Sequence, residues 1–231
     1  MDGRIEAGFR HRFRALLAAL PEAPREQEVA RLIDEARQTA RRGESSLAHA
    51  LLREHEALRA STVLNVSART TPPATETPRF FCDPSLAGLS RWLHAAGYDA
   101  VLSPAVAPHR LPDEALRQGR VLLTTDAEAL ERRIVADGSL RVVWLPSALT
   151  MREKLALVLH DLALPLRQPR CMACGGELET RGKDEVLARI PPRTARWKDE
   201  YFVCASCDRL YWQGTHWERI VPALRQAAVL A

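Results

Sequence analysis

No stretch of this sequence is apolar for the roughly 18 residues that a membrane-spanning helix requires, so no membrane span is expected. The opening MDGRIEAGFRHRF carries early charges and no apolar core ahead of a small-residue cleavage site. It does not read as a secretory signal, and a cytoplasmic location is the default expectation. There is no Gly-x-Ser-x-Gly elbow, no phosphate-cradling P-loop and no Gly-x-Gly-x-x-Gly fingerprint, which argues against the common serine-hydrolase, nucleotide-hydrolysing and dinucleotide-dependent schemes. An aspartyl-nucleophile phosphatase would want a second acid two residues after the first, and Asp83 is followed by Pro84 and Ser85. Cysteine is scarce, five residues in all. Four of them form two Cys-x-x-Cys pairs, which fits a metal site in a reducing compartment better than a disulfide framework. A strong charge bias is missing too: 33 Lys+Arg against 29 Asp+Glu leave +4, which permits an anionic partner without demanding one.

What is present, 46% hydrophobic and 27% charged residues over 231 positions, is enough for one large domain or two to three small ones. Three segments follow. Residues 1–61 read as a helical module, with Pro24 in a first turn, Val29, Leu32, Ile33 and Ala36 at helical spacing, and Gly43 as a stop. Ser45 or Ser46 can cap a further helix carrying Leu47, Leu51, Leu52 and Leu58. Its dense mixed charge suits solvated faces or a protein partner's surface. Residues 62–78, TVLNVSARTTPPATETP, read as a Ser/Thr/Pro-rich linker, with a short strand expected at Val63–Val66 if any order exists there.

From Arg79 to about residue 168 short apolar strands alternate with amphipathic helices, the grammar of an α/β domain with a mainly parallel sheet. Strands are expected at 79–82, 99–103, 120–124 and 140–145, and helices near 84–96, 112–118, 127–136 and 150–162. In the first helix Leu86, Leu89, Leu93 and Ala96 share a face that should lie on the sheet, leaving Arg91 and His94 available elsewhere. Residues 169–231 form the third segment, which opens with the first cysteine pair and ends in a helix-like tail.

Ligands of open α/β sheets bind outside the carboxyl ends of the strands. Asp83 and Asp126 occupy such ends, and Asp113, beside Glu114, starts the helix that leads into strand 120–124. Three carboxylates converging on one rim would repel one another unless a cation neutralised them, and hard oxygen ligation suits Mg²⁺ or Mn²⁺. That chemistry supports hydrolysis of a phosphodiester. Against it, aspartate is a preferred N-cap, and each of these residues also fits a helix start. Both readings stand. Asp99 precedes a strand and is expected at the opposite rim, Glu128 and Glu131 fit exposed helix positions, Asp137-Gly138 reads as a turn, and Cys82 as a buried strand residue.

CMAC, Cys171 to Cys174, and CASC, Cys204 to Cys207, supply four soft thiolates that can close around a structural Zn²⁺, with the intervening residues as the arms of a zinc ribbon. Redox dithiols are the other reading, but nothing thioredoxin-like surrounds either pair. After the second pair, RLYWQGTHWERI interleaves aromatics with Arg and His: Tyr211, Trp212 and Trp217 can stack bases or equally form the ribbon's small core. His216 finds no vacancy among four cysteines and is an RNA contact or a packing residue.

FFCDPSLAGLSRWLHAAGYD, LPDEALRQGRVLLTTDAEAL, RCMACGGEL and FVCASCDRLYWQGTHWERI, taken together, closely resemble the mutator-seven C-terminal RNase domain family over residues 79–220. The resemblance implies a PIN-like three-layer nuclease domain fused to a zinc ribbon, acting on RNA with a divalent metal at Asp83, Asp113 and Asp126. This sequence departs from it in carrying His94 where the RWLR pattern has a second arginine, and residues 1–78 lie outside it.

The expectation is therefore an Mg²⁺- or Mn²⁺-dependent ribonuclease. Thr124 or Thr125 would contact substrate or orient Asp126, and Arg91 would clamp a phosphate. The rivals are a non-catalytic RNA-binding or adaptor protein that uses its ribbon, and a toxin-like nuclease held by a protein inhibitor docked on the N-terminal helices.

Overall fold

A computed structural model describes residues 2–18, 25–66 and 77–229. Its elements run α1 (Asp2–Leu17), α2 (Arg25–Arg41), α3 (Leu47–Val66), β1 (Phe80–Cys82), α4 (Ala87–Ala95), β2 (Ala100–Leu102), α5 (Leu111–Arg117), β3 (Val121–Thr124), α6 (Arg133–Ala136), β4 (Val142–Trp144) and α7 (Met151–Asp161). There follow β5 (Leu178–Gly182), α8 (Lys183–Val186), α9 (Pro192–Ala195), β6 (Glu200–Cys204), β7 (Leu210–Trp212) and α10 (Thr215–Val229). The expected strands and helices of the α/β region are all present, although residues 84–86 and 127–131 form 3₁₀ turns in place of α-helix. Pro24 and most of the expected linker lie outside the described residues. One expectation is corrected: Val63–Val66 is no strand but the last turn of α3, because the helix begun at Leu47 meets no proline or glycine before it. No described helix is long and apolar enough to cross a membrane.

The chain divides into two compact units, residues 1–77 with 124–150, and 78–123 with 151–231. In the first, α1, α2 and α3 bury Phe9, Phe13, Leu17, Val29, Leu32, Ile33, Ala36, Leu51 and Leu52. The stripe expected on α2 is thus its buried face, and Ser46 caps α3 by accepting the His49 N–H at 3.3 Å. This helical core extends to Trp144 of β4, whose ring meets Phe9 edge-on at 5.6 Å and whose carbonyl accepts from the buried Arg12 guanidinium. Trp144 Nε1 in turn donates to the Thr125 carbonyl at 3.2 Å, and exposed Arg4 pairs with Glu128 at 2.9 Å. Residues flanking Asp126 therefore take their support from the N-terminal helices.

In the second unit β1 runs parallel to both neighbours, with Phe80, Phe81 and Cys82 opposite Ala100, Val101 and Leu102 on one side and Val121, Leu122 and Leu123 on the other. All three β1 side chains are fully buried, as a central parallel strand covered on both faces requires. Within this unit the strand order is β2-β1-β3. Leu86, Leu89, Leu93 and Ala96 are buried as the spacing predicted. Asp99 and Arg120 precede β2 and β3, and their 2.9 Å ion pair ties together the amino ends of those strands, the rim expected for Asp99. The remaining sheet is antiparallel, β5-β6-β7, and its Tyr201 and Val203 pack with Val186 and Ile190.

Candidate functional site

Each aspartate at a strand end is bound to its own turn. Asp83 follows β1, donates its N–H to Leu123 of β3 at 2.9 Å, and accepts the Ser85 N–H on Oδ1 at 2.9 Å. Asp126 follows β3 and accepts the Glu128 N–H on Oδ1 at 3.0 Å, while its own N–H donates to the buried Thr124 hydroxyl at 3.0 Å. Both therefore cap 3₁₀ turns, and Asp126 is exposed and Asp83 half-buried. Asp113 is exposed in the first turn of α5, which has no side-chain cap, and it stands where a carboxylate favours the helix dipole. Its neighbour Glu114 is already engaged: the Arg117 fork and the Gln118 amide hold its carboxyl down to about 2.

One expectation among the neighbouring side chains is corrected, that for His94. Arg91 is exposed on α4, as a phosphate clamp would be. His94 is not available: it is 5% exposed, and its Nε2 bonds the Ala100 carbonyl at 2.8 Å. Two turns of helix do not reveal this, because what covers His94 is the first cysteine knuckle, 76 to 81 positions on. Burial keeps the His94 imidazole below its usual range, so it is a neutral packing group. Cys82 is buried and its thiol is pushed up to about 12 by that burial, which removes it as a nucleophile.

The four knuckle cysteines do come together. Cys171, Cys174, Cys204 and Cys207 have ligand sulfurs within 4.8 Å of one another, with Cys171–Cys207 at 3.6 Å and Cys174–Cys204 at 3.5 Å. A tetrahedral Zn²⁺ with bonds of about 2.3 Å has sulfur–sulfur edges of about 3.8 Å, so the set fits such an ion with no position left for water. Among the described residues this is the only group of three or more His, Cys, Asp or Glu side chains with that property. The aspartates are thus placed one by one.

The two knuckles are built alike. In the first, the Cys171 N–H donates to the Gly176 carbonyl and the Gly175 N–H to the Cys171 carbonyl, at 2.8 and 2.7 Å. In the second, Cys204 and Arg209, and Asp208 and Cys204, repeat both bonds at 2.9 Å. Each turn needs a left-handed residue, Gly175 at φ +76° and Asp208 at φ +56°. Glycine is required at 175 for a second reason, since a Cβ there would stand 2.7 Å from His94 Nε2. A Cβ on Gly176 would lie 2.5 Å from Ser206 Oγ and 2.8 Å from Cys204 Sγ. Burial pushes the Cys171 thiol up, but the Tyr211 hydroxyl, 3.1 Å from its sulfur, and the N–H groups of Cys174 and Ala173 outweigh it and bring the thiol to about 6. The Gly176 and Arg209 N–H groups lower Cys174 and Cys207, but burial and neighbouring sulfurs outweigh them and raise both, so of these three Cys171 alone is biased to the thiolate that a metal binds. Tyr211 as a sulfur partner was not read from the sequence. The available signal was an aromatic four residues past the last cysteine.

Tyr211, Trp212 and Trp217 are half-buried and line a groove of about 620 Å³ with Arg170, Met172 and Phe202. Trp212 also packs against the Val186–Tyr201 cluster, so it serves the ribbon's core, whereas Phe202 and Tyr211 are cross-strand partners. His216 is exposed in the first turn of α10.

The family model described as Mut7-C RNAse domain matches residues 78–224, well over half of the chain, from the residue ahead of the α/β strands to α10. No curated protein and no solved structure matches the chain.

Proposed function

We propose, from the premise that this chain belongs to the Mut7-C RNAse domain family, that it is a metal-dependent ribonuclease with a PIN-like α/β domain. The observation that carries the reading is topological. Asp83 and Asp126 follow β1 and β3, neighbouring parallel strands in register, at the edge where open α/β sheets bind ligands. Asp83, Asp113 and Asp126 would hold Mg²⁺ or Mn²⁺, an all-oxygen donor set suited to those ions. Such an ion supplies charge against the phosphate oxygens and an acidified water for in-line attack.

The chain's own groups do the positioning. Backbone N–H groups of Ser85 and Glu128 fix one carboxylate oxygen of Asp83 and of Asp126. A carboxylate has about four lone-pair sites, so one such bond leaves Asp126 able to bind a metal. Buried Thr124 fixes the backbone of Asp126, Thr125 is next to it on the half-buried turn, and exposed Arg91 is suited to a phosphate through its fork. His216, Trp217 and Tyr211 would meet RNA at the ribbon, where the cysteine set would hold a structural Zn²⁺.

The capping bonds of Asp83 and Asp126 favour one rival, an RNA-binding adaptor in which the acids only end turns. The toxin-like alternative would use the charged faces of the N-terminal helices for its inhibitor, since α1 commits Phe9 and Phe13 to the core. Cleavage of end-labelled RNAs by wild type and Asp126→Asn, with Mg²⁺ or Mn²⁺ and with EDTA, decides between enzyme and adaptor. Metal-dependent cutting that the variant loses is expected. Equal cutting by both proteins sinks the assignment of Asp126.

A further inference from the structure

Between the two knuckles the chain leaves the ribbon sheet through α8, a 3₁₀ turn at Leu187–Arg189, and α9, and returns at β6. That excursion carries the most exposed large apolar side chain among the described residues: Trp197 is 83% exposed, and the next, Leu187 on the same excursion, is 53%. Trp197 is held by its backbone alone, its N–H on the Thr194 carbonyl at 3.1 Å. Leaving a tryptophan in water gives up more apolar burial than any other residue type would. Nothing in the ribbon's core uses it.

Three cations of the ribbon meet acids: Lys183 with Asp199 at 3.1 Å, Arg189 with Asp208 at 3.1 Å, and Arg181 with Glu179. Arg193, Arg196 and Lys198, the three cations within four positions of Trp197, make no side-chain ion pair or hydrogen bond among the described residues. Of the two acids that follow them, Asp199 is drawn off to Lys183 and Glu200 starts β6 opposite Gly182. An exposed indole with three unneutralised cations offers a flat π-face for a base and positive charge for the phosphates on either side of it.

We propose that residues 192–198 form an RNA-binding arm, in which Trp197 stacks on an unpaired base and Arg193, Arg196 and Lys198 contact the flanking phosphates. The ligand is single-stranded RNA, because a base within a duplex is already stacked on its neighbours. The proposal extends the ribonuclease reading to substrate capture and stays separable from it, since binding is measured without cleavage.

The test is fluorescence anisotropy of a labelled single-stranded RNA 20-mer with the full-length protein, free of added Mg²⁺ and Mn²⁺. Because Trp197 is 83% exposed and outside the ribbon's core cluster, Trp197→Ala should keep the fold, checked by its melting temperature and zinc content. It should weaken binding about tenfold, while Trp197→Phe keeps most of the affinity, as base–aromatic stacking predicts. Arg193→Ala with Arg196→Ala should weaken binding and flatten its salt dependence by about 1.4 in the log–log slope, the loss of two phosphate contacts to a single strand. A duplex of the same sequence should not register Trp197→Ala. Unchanged single-strand affinity in Trp197→Ala, or no RNA binding by the wild type, overturns the proposal and gives the arm to a protein partner. If wild type binds but cuts nothing, the arm stands and the ribonuclease reading fails.

Discussion

At the cysteine knuckles the side chains turn towards one another, sulfur to sulfur at 3.5 and 3.6 Å, whereas at the strand ends Asp83 and Asp126 turn back to cap the residues that follow them. Soft thiolates have few backbone partners that satisfy them fully, and a shared ion satisfies four at once. A carboxylate finds an N–H two residues on and is satisfied locally. A four-cysteine centre is thus legible from its own geometry, while an acidic site shows its purpose only when charge is removed from it.

The sharpest way to break the comparison is to deny the cysteine set a metal. Cys171→Ser, or a strong chelator, should take zinc from about one equivalent per chain to none and unfold residues 170–212, detected as new protease sites between the knuckles. Structural zinc typically supplies about 10–16 kcal/mol of apparent binding free energy, more than a small ribbon's core can replace. Retention of a folded ribbon without metal would show that the Val186–Tyr201 cluster suffices alone.

The acids should behave in the opposite way. Asp126→Asn keeps a side-chain oxygen for the Glu128 N–H and caps about as well as aspartate, so the melting temperature should move by no more than about 2 °C. Activity should fall by about 100-fold or more, since a lost metal ligand forfeits transition-state charge stabilisation of several kcal/mol. A large fall in melting temperature with activity per folded molecule unchanged would reassign Asp126 as a cap alone.

Gly176→Ala tests how tightly the knuckles are locked. Its Cβ must displace Ser206 and Cys204, and overpacking of this kind costs about 1–3 kcal/mol. A melting temperature lower by several degrees, with weaker zinc retention against a competing chelator, is expected. Smaller still is Tyr211→Phe, which deletes the hydroxyl 3.1 Å from Cys171 Sγ. Partners of this type change metal affinity by about tenfold or more, and a competition titration with a zinc indicator reads it.

Much of this architecture was legible in the residue order. The α2 and α4 stripes were found because a 3.6-residue period reports which helix face is buried, and the four α/β strands because strands covered on both faces are short continuous apolar runs. Cys171, Cys174, Cys204 and Cys207 were found because the knuckle spacing is itself the local turn. His94 was misread: its helix gives no sign that Gly175 presses on its ring. Val63–Val66 was misread as a strand because the helix that starts at Leu47 continues through it.

The sequence by itself determined which faces of α2 and α4 are buried, where four sulfurs meet, and which family the α/β and ribbon segments belong to, because side-chain periodicity and knuckle spacing act over a few residues. Only the tertiary structure decided that α1 seats on Trp144 behind the Asp126 turn, that His94 is closed off beneath a knuckle, and that Trp197 stands in solvent beside unpaired cations. Burial and charge pairing depend on which distant segments arrive at a surface, and a residue's near neighbours in sequence do not carry that information.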